Sequence, residues 1–213
     1  MPGPLLLGHR GARAFKSIPE NSIASFDRAL ADGCDGFEFD VRLTADGQGI
    51  VCHDPKAGTL EIAHARAQQF QALPRLDEVL ERYRDAFLDI ELKVPGLEKI
   101  VIDAVRSHQP RRLVVSSFLP EVLVTLHAAD ATVPLGLICE TKAQLLRRNQ
   151  LPVEYVILHH RLATKNLVRN LQAEGRKVLV WTVNTAAEMK RFAGWGVDGV
   201  ISDNPKLLSV TLR

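Results

Sequence analysis

The stretch GFEFDVRLTADGQGIVCHD, Gly36–Asp54, decides how this chain is read. Over Gly36–Leu43 the side chains alternate with the two-residue period of a strand. Phe37, Phe39 and Val41 therefore share one face, and Glu38 and Asp40 share the other. Ala45-Asp46-Gly47 carries turn chemistry and sends the chain back into a second extended run, Ile50–Cys52, which ends on His53 and Asp54. Taken singly, a strand carboxylate is most often an edge or solvent-facing residue, and a strand-end histidine is most often structural. Their meaning depends on the company they keep.

Outward from this hairpin, short β-rich runs alternate with longer amphipathic ones. The predicted strands are Leu5–Gly8, Gly36–Leu43 with its return Ile50–Cys52, Ala86–Leu92, Leu113–Ser117, Val133–Ile138, Tyr155–Leu158, Lys177–Thr182 and Gly199–Ile201. Helices are predicted near Ser22–Asp32, Leu76–Arg84, Leu97–His108, Leu119–Ala129, Lys142–Arg148, Lys165–Glu174 and Ala186–Trp195, with a short one after Asn204. Thr185 supplies an N-cap signal, and Gly175 and Gly194 sit near helix ends. With the hairpin counted as one element there are eight β/α units, which favours parallel strands with right-handed crossovers. The rival is a doubly wound open sheet, but GHRGAR after the first strand is not the GxGxxG expected there. The expectation is an α/β chain folded as a single (β/α)8 TIM barrel over residues 1–213. Residues 55–73, polar and weakly organised, are expected as a short insertion over its C-terminal face.

A length of 213 residues supports one substantial core. A net charge of +2, from dispersed Lys and Arg, gives no footing for a nucleic-acid partner, so any anion preference must be local. Cys34, Cys52 and Cys139 are too scattered for a disulfide frame or a zinc site and read as free thiols in a reducing compartment. The opening MPGPLLLGHRGAR has neither a basic flank nor an apolar run long enough for an export signal, and no run approaches a membrane span. A cytoplasmic protein with no stable membrane insertion is the expectation; the oligomeric state is left open.

Polar residues at the ends of apolar strands mark the chemistry. His9 and Arg10 follow Leu5–Gly8, Glu38 and Asp40 interrupt the second strand, His53 and Asp54 end the hairpin, and Glu91 and Lys93 end FLDIELK with Asp89 on the same face. Carboxylates pointing into a barrel are costly unless paired or metal-bound. Glu38, Asp40 and Glu91 make an all-oxygen set suited to one divalent cation, Mg²⁺ or Ca²⁺, with Mn²⁺ a further candidate.

These residues resemble the glycerophosphodiester phosphodiesterase family. HRG at His9–Gly11, PEN at Pro19–Asn21, the E-x-D-V strand at Glu38–Val41, T-x-D-G at Thr44–Gly47 and HD at His53-Asp54 follow its order and spacing. PRLDEVL, LDIELK, VVSSF, VWTVN and GVDGVISDNP look like its later blocks, so the resemblance runs from Leu7 to Pro205. It implies a small-molecule phosphodiester as substrate, His9 and His53 as the acid/base pair and Glu38, Asp40 and Glu91 as metal ligands. It further implies that Arg10 and Lys93 contact phosphate and that Trp181 flanks the substrate, an aromatic lid on the core being the other reading of that side chain. Glu20 and Asn21 are read as helix entry and loop hydrogen bonding rather than substrate contact, Ser116 and Ser117 as structural, Asp203 as part of a cap before the last helix, and His64, His159 and His160 as surface or loop residues. After HDP the chain is shorter than larger family members, which bears on contacts beyond the phosphate.

The mechanism expected from this set uses two histidines as proton carriers and the glycerol hydroxyl beside the ester as nucleophile, since no Ser, Cys or Thr stands out at the strand ends. Two rivals remain at this level. One is a lysophospholipase D or sphingomyelinase-D-like enzyme, which would want an apolar mouth; the other is a non-catalytic phosphate- or lipid-binding barrel.

Overall fold

The computed structural model describes residues 3–213. Along the chain run β1 (Leu5–His9), α1 (Ile23–Ala31), β2 (Gly36–Leu43), β3 (Gly49–Val51), the two-residue strands β4 (Lys56–Ala57) and β5 (Leu60–Glu61), and α2 (Leu76–Arg82). Then come β6 (Phe87–Leu92), α3 (Glu98–His108), β7 (Arg112–Ser117), α4 (Pro120–Ala129), β8 (Leu135–Cys139) and α5 (Lys142–Leu146). The chain ends with β9 (Tyr155–His159), α6 (Lys165–Ala173), β10 (Lys177–Trp181), α7 (Ala186–Trp195), β11 (Gly199–Ser202) and α8 (Pro205–Leu212). Strands β1, β2, β6, β7, β8, β9, β10 and β11 are parallel, and β1 pairs with both β2 and β11, which closes the (β/α)8 barrel.

Alternation along the strands separates two apolar layers. Phe37, Phe39, Val41, Leu88 and Ile90 point outward into the layer beneath the helices, where Phe26 of α1 stacks on Phe37 with centroids 4.2 Å apart. Leu7, Val114, Ile157, Leu179 and Ile201 fill the barrel interior. Glu38, Asp40, Asp89 and Glu91 are on the inward face of β2 and β6 and are buried. The barrel interior is therefore charged on one side near its C-terminal end and apolar on the other.

Hairpin β2–β3 is antiparallel, with Val41 opposite Val51 and Leu43 opposite Gly49, and its turn uses Gly47 at φ 74°. It extends past the barrel rim and returns, so that Cys52 N–H bonds to the Asp40 carbonyl and Arg42 Nε bonds to the His53 carbonyl. His53, thirteen residues after Asp40 in sequence, is thereby brought back beside it.

Residues 55–73 are more ordered than their composition indicates. They form the β4–β5 hairpin and two 3₁₀ turns, Ile62–His64 and Ala67–Gln69, closed over a cluster of Ile50, Ile62, Ala65, Ala67 and Phe70. The spacing of these apolar residues fits neither a helical nor a strand period, which hides them in the sequence. Asp46, read as turn chemistry, also ties the hairpin to this segment by accepting from Ala67 N–H at 2.9 Å. The end of α5 differs from expectation: the helix stops at Leu146 and runs on as a 3₁₀ turn. Helix α7 keeps its expected bounds and closes on Gly196 in the left-handed conformation. No helix among the described residues is long and apolar enough to cross a membrane.

Candidate active site

His9 ends β1, and the turn after it depends on Gly8, where a Cβ would lie 2.1 Å from the Gly11 carbonyl oxygen. Arg10 takes a left-handed backbone, φ 50°, which points its N–H at Glu38 Oε2 (3.0 Å). A non-glycine residue keeps that conformation only when its surroundings hold it there. The Arg10 side chain bonds to Glu20 Oε1 at 2.7 Å and brings Nε to 3.2 Å from Asp40 Oδ2. Burial alone would lower the Arg10 pKa, but Asp40, Glu20 and Glu38 outweigh it and raise it.

One ligand atom from each of Glu38, Asp40 and Glu91 lies within 4.8 Å of the others. Lys93, just past β6, donates to Glu91 Oε1 at 2.5 Å and lies 3.3 Å from Asp40 Oδ1. Despite burial, Lys93 and Arg10 together with an Asn21 amide bond at 2.8 Å keep the Asp40 pKa low. Glu38 is pushed well above the carboxylate range by burial and by the charges of Asp40 and Glu91, and burial takes Glu91 to about 7. Glu38 Oε1 and Asp40 Oδ1 are buried with no hydrogen-bond partner.

The two histidines flank this cluster differently. His9 is 8% exposed; its Nε2 is 3.8 Å from Glu38 Oε2 and its Nδ1 is 2.7 Å from Asp203 Oδ1. Asp203 is also bonded by the Asn184 amide at 2.7 Å, and these partners with Arg13 overcome burial and bring its pKa to about 2. An ionised carboxylate can only accept, so Nδ1 of His9 carries the hydrogen and Nε2 is left bare. His53 is more exposed, with Nδ1 2.7 Å from Asp54 Oδ1.

A cavity of about 220 Å³ opens over this group. His9, Arg10, His53, Lys93 and the acids line one side; Phe118, Ile138, Ile157, Trp181 and Ile201 line the other. Trp181 packs edge-on against Phe118 and His159, at 5.7 and 5.1 Å. All eight residues singled out for catalysis, substrate contact and metal binding are thus close together, and of these Asp40 alone is not on the cavity wall.

Glu20 and Asn21 make the loop hydrogen bonds expected of them just before Ser22, which caps α1: Glu20 bridges Arg10 and Arg13, and Asn21, at φ 55°, holds Asp40. Two readings of neighbouring residues are corrected. Asp203 is not a cap; Asn204 caps α8 by accepting from Leu207 N–H, and Asp203 faces His9. His159 and His160 are half-buried on the rim, His160 Nδ1–H donating to the Thr182 carbonyl, whereas His64 is exposed and paired with Glu61. Asp203 was detectable from closure alone, because a barrel places the end of its last strand beside the end of its first. Phe118 and Glu140, both on the cavity wall, carried no signal in the sequence.

A closed (β/α)8 barrel with acidic, basic and imidazole groups gathered at the C-terminal end of its first strands has the site placement of a barrel enzyme, and the family match below makes its class that of the phosphoric diester hydrolases. The model of the glycerophosphoryl diester phosphodiesterase family matches residues 9–70 and 58–207, and the chain belongs to that family. The two stretches meet inside the 55–73 segment. A glycerophosphodiester phosphodiesterase of Caldanaerobacter subterraneus subsp. tengcongensis is 31% identical, with 98% of each chain covered. That alignment spans 239 positions against the 213 residues here, so the relative carries residues this chain lacks. The phosphodiesterase of Oleispira antarctica solved with the product sn-glycerol-3-phosphate aligns with a TM-score of 0.85 at 26% identity, covering 98% of this chain and 96% of that one. The fold also matches a glycerophosphodiester phosphodiesterase from Thermotoga maritima, TM-score 0.86, 24% identity, both chains fully covered.

Proposed function

We propose that this chain is a cytoplasmic enzyme that hydrolyses small glycerophosphodiesters to a glycerol phosphate and an alcohol, using one divalent cation and two histidines. The supporting observation is the convergence of Glu38, Asp40 and Glu91 between His9 and His53 on one cavity. The donor set fits a cation: it is all carboxylate oxygen, and Glu38 Oε1 and Asp40 Oδ1 are buried without a hydrogen bond among the described residues, a costly state for a carboxylate. Mg²⁺ or Ca²⁺ suits such oxygens, and Mn²⁺ is the next candidate. When bound there, a divalent cation neutralises charge on the phosphoryl oxygens.

The chain's own groups carry the proton steps. Arg10 and Lys93 line the same wall and add positive charge where phosphoryl oxygens gather. His9, held as the Nδ1–H tautomer by Asp203, presents Nε2 to take the proton of the glycerol hydroxyl beside the ester. That oxygen attacks phosphorus, and His53 gives a proton to the departing alcohol. Water then opens the five-membered cyclic phosphate with the two roles reversed. Intramolecular attack gains the high effective molarity of a tethered nucleophile. We read Trp181 as flanking the substrate from the apolar side, and the chain as one domain with 55–73 as a short insertion over the C-terminal face; the family match breaks within that segment.

The test is turnover of water-soluble glycerophosphodiesters against lysolipids, with Mg²⁺, Mn²⁺ and Ca²⁺ in turn, and against a 2-deoxy glycerophosphodiester. Release of glycerol phosphate from the former and little from the lysolipids supports the reading. Equal turnover of the deoxy compound overturns the cyclic step and assigns direct attack to water.

A further inference from the structure

Across the cavity from the phosphate-side cations, the wall is apolar and aromatic apart from one charge. That charge is Glu140, the residue after β8. Among the described residues its carboxylate has no ion-pair partner, and its backbone N–H donates to Gln144 Oε1. Glu140 shares the cavity wall with Trp181, on which the His159 ring packs edge-on. Trp181, Phe118 and His159 meet edge to face. The cation nearest this wall is engaged elsewhere: Lys93, 5.8 Å from the Phe118 ring centroid, is paired with Glu91 and Asp40.

An aromatic surface beside an uncommitted carboxylate attracts an organic cation. The ring quadrupole and the anion both favour positive charge, while the apolar atoms favour a poorly hydrated ion over ammonium itself. With phosphate held on the charged wall, the alcohol half of a diester reaches this side within a space of about 220 Å³. Resting on the phosphodiesterase reading above, we propose that Glu140 with Trp181 and Phe118 forms a subsite for the released alcohol, selecting alcohols that carry a quaternary or primary ammonium over neutral ones.

The experiment compares kcat/KM for glycerophosphocholine and for glycerophosphoglycerol, which share the glycerophosphate half and differ in the charge of the alcohol. It is run on wild type, Glu140→Gln and Glu140→Asp, with choline as a product inhibitor in each. The wild type is expected to favour the choline ester. In Glu140→Gln the ratio of the two kcat/KM values should fall by about fivefold to tenfold, with matching loss of choline inhibition, and Glu140→Asp should recover part of it. An unchanged ratio, or equal losses on both esters, overturns the subsite. If the wild type cleaves neither ester with any of the three cations, the phosphodiesterase reading falls and the subsite falls with it. A changed Glu140→Gln ratio in an active enzyme supports both.

Discussion

Asp203→Asn isolates the half-buried partner of His9. Asp203 Oδ1 accepts from His9 Nδ1–H at 2.7 Å and its Oδ2 accepts from the Asn184 amide at 2.7 Å. The new amide has one acceptor for these two donors, so either His9 or Asn184 meets an N–H. If His9 loses its acceptor, the imidazole turns to the other tautomer or swings away, and Nε2 is no longer a fixed proton acceptor. Hydrogen bonds to an ionised group are each worth about 1.5–3 kcal/mol. At about 1.36 kcal/mol per tenfold, kcat/KM should drop roughly tenfold to 150-fold. The assay is steady-state release of glycerol phosphate across pH, beside a thermal melt of each variant. The acidic limb of the pH profile should move to lower pH as well, because Asp203 stabilises the imidazolium formed when His9 takes a proton. Asn204→Ala is the matched control, since it removes the cap of α8 and should cost about 1 kcal/mol of stability with little change in kcat/KM. A value for Asp203→Asn within twofold of wild type, with an unmoved profile, would refute the orienting role.

His9→Ala and His53→Ala should each lower turnover by about a hundredfold or more, while His64→Ala, exposed and 2.9 Å from Glu61, should change it little; steady-state kinetics on folded variants decides, and the reverse ordering means another pair does the chemistry. Lys93→Met should remove much of the activity and leave the melting temperature within a few degrees, because Lys93 meets carboxylates and not the core; normal kinetics would place the phosphate elsewhere. In protein stripped of divalent ions, Asp89 and Glu91 both titrate near 7, chiefly through burial, against about 4 for unfolded carboxylates. The folded state holds these protons more tightly, so the stability they contribute is full below about pH 4 and is lost as pH rises through about 7. Melting temperature in EDTA should therefore fall between about pH 5 and pH 7 and level off above, and a bound cation should flatten that slope; a rise over the same interval contradicts the burial argument.

Much of this was legible because period two is an unambiguous signal. Glu38 and Asp40 had to share a face, Asp89 and Glu91 had to share one too, and the only face that makes Phe37 and Phe39 buried puts the acids inside the barrel. The repeated strand–helix alternation carried the topology, with boundaries off by one or two residues at frayed ends. Contacts made by barrel closure and by irregular turns were less accessible. Asp203 meets His9 across 194 residues of chain, and Asn21 reaches Asp40 only through a left-handed backbone that no local pattern announces. The cluster beneath 55–73 escaped because single apolar residues on 3₁₀ turns produce no periodicity. Glu140 looked like any charged residue after a strand until closure set it opposite the phosphate side.

The most direct test of the account is glycerol phosphate release from a soluble glycerophosphodiester after EDTA treatment and dialysis, then after return of Mg²⁺, Mn²⁺ or Ca²⁺, for wild type and Glu38→Gln. Glu38 supplies one of the three clustered carboxylates, so the variant should retain the fold, bind the cation more weakly in calorimetry and need more of it for turnover. The expected result is no turnover in EDTA and full recovery with at least one of the three ions. Undiminished turnover in EDTA, with Glu38→Gln as active as wild type, would contradict it.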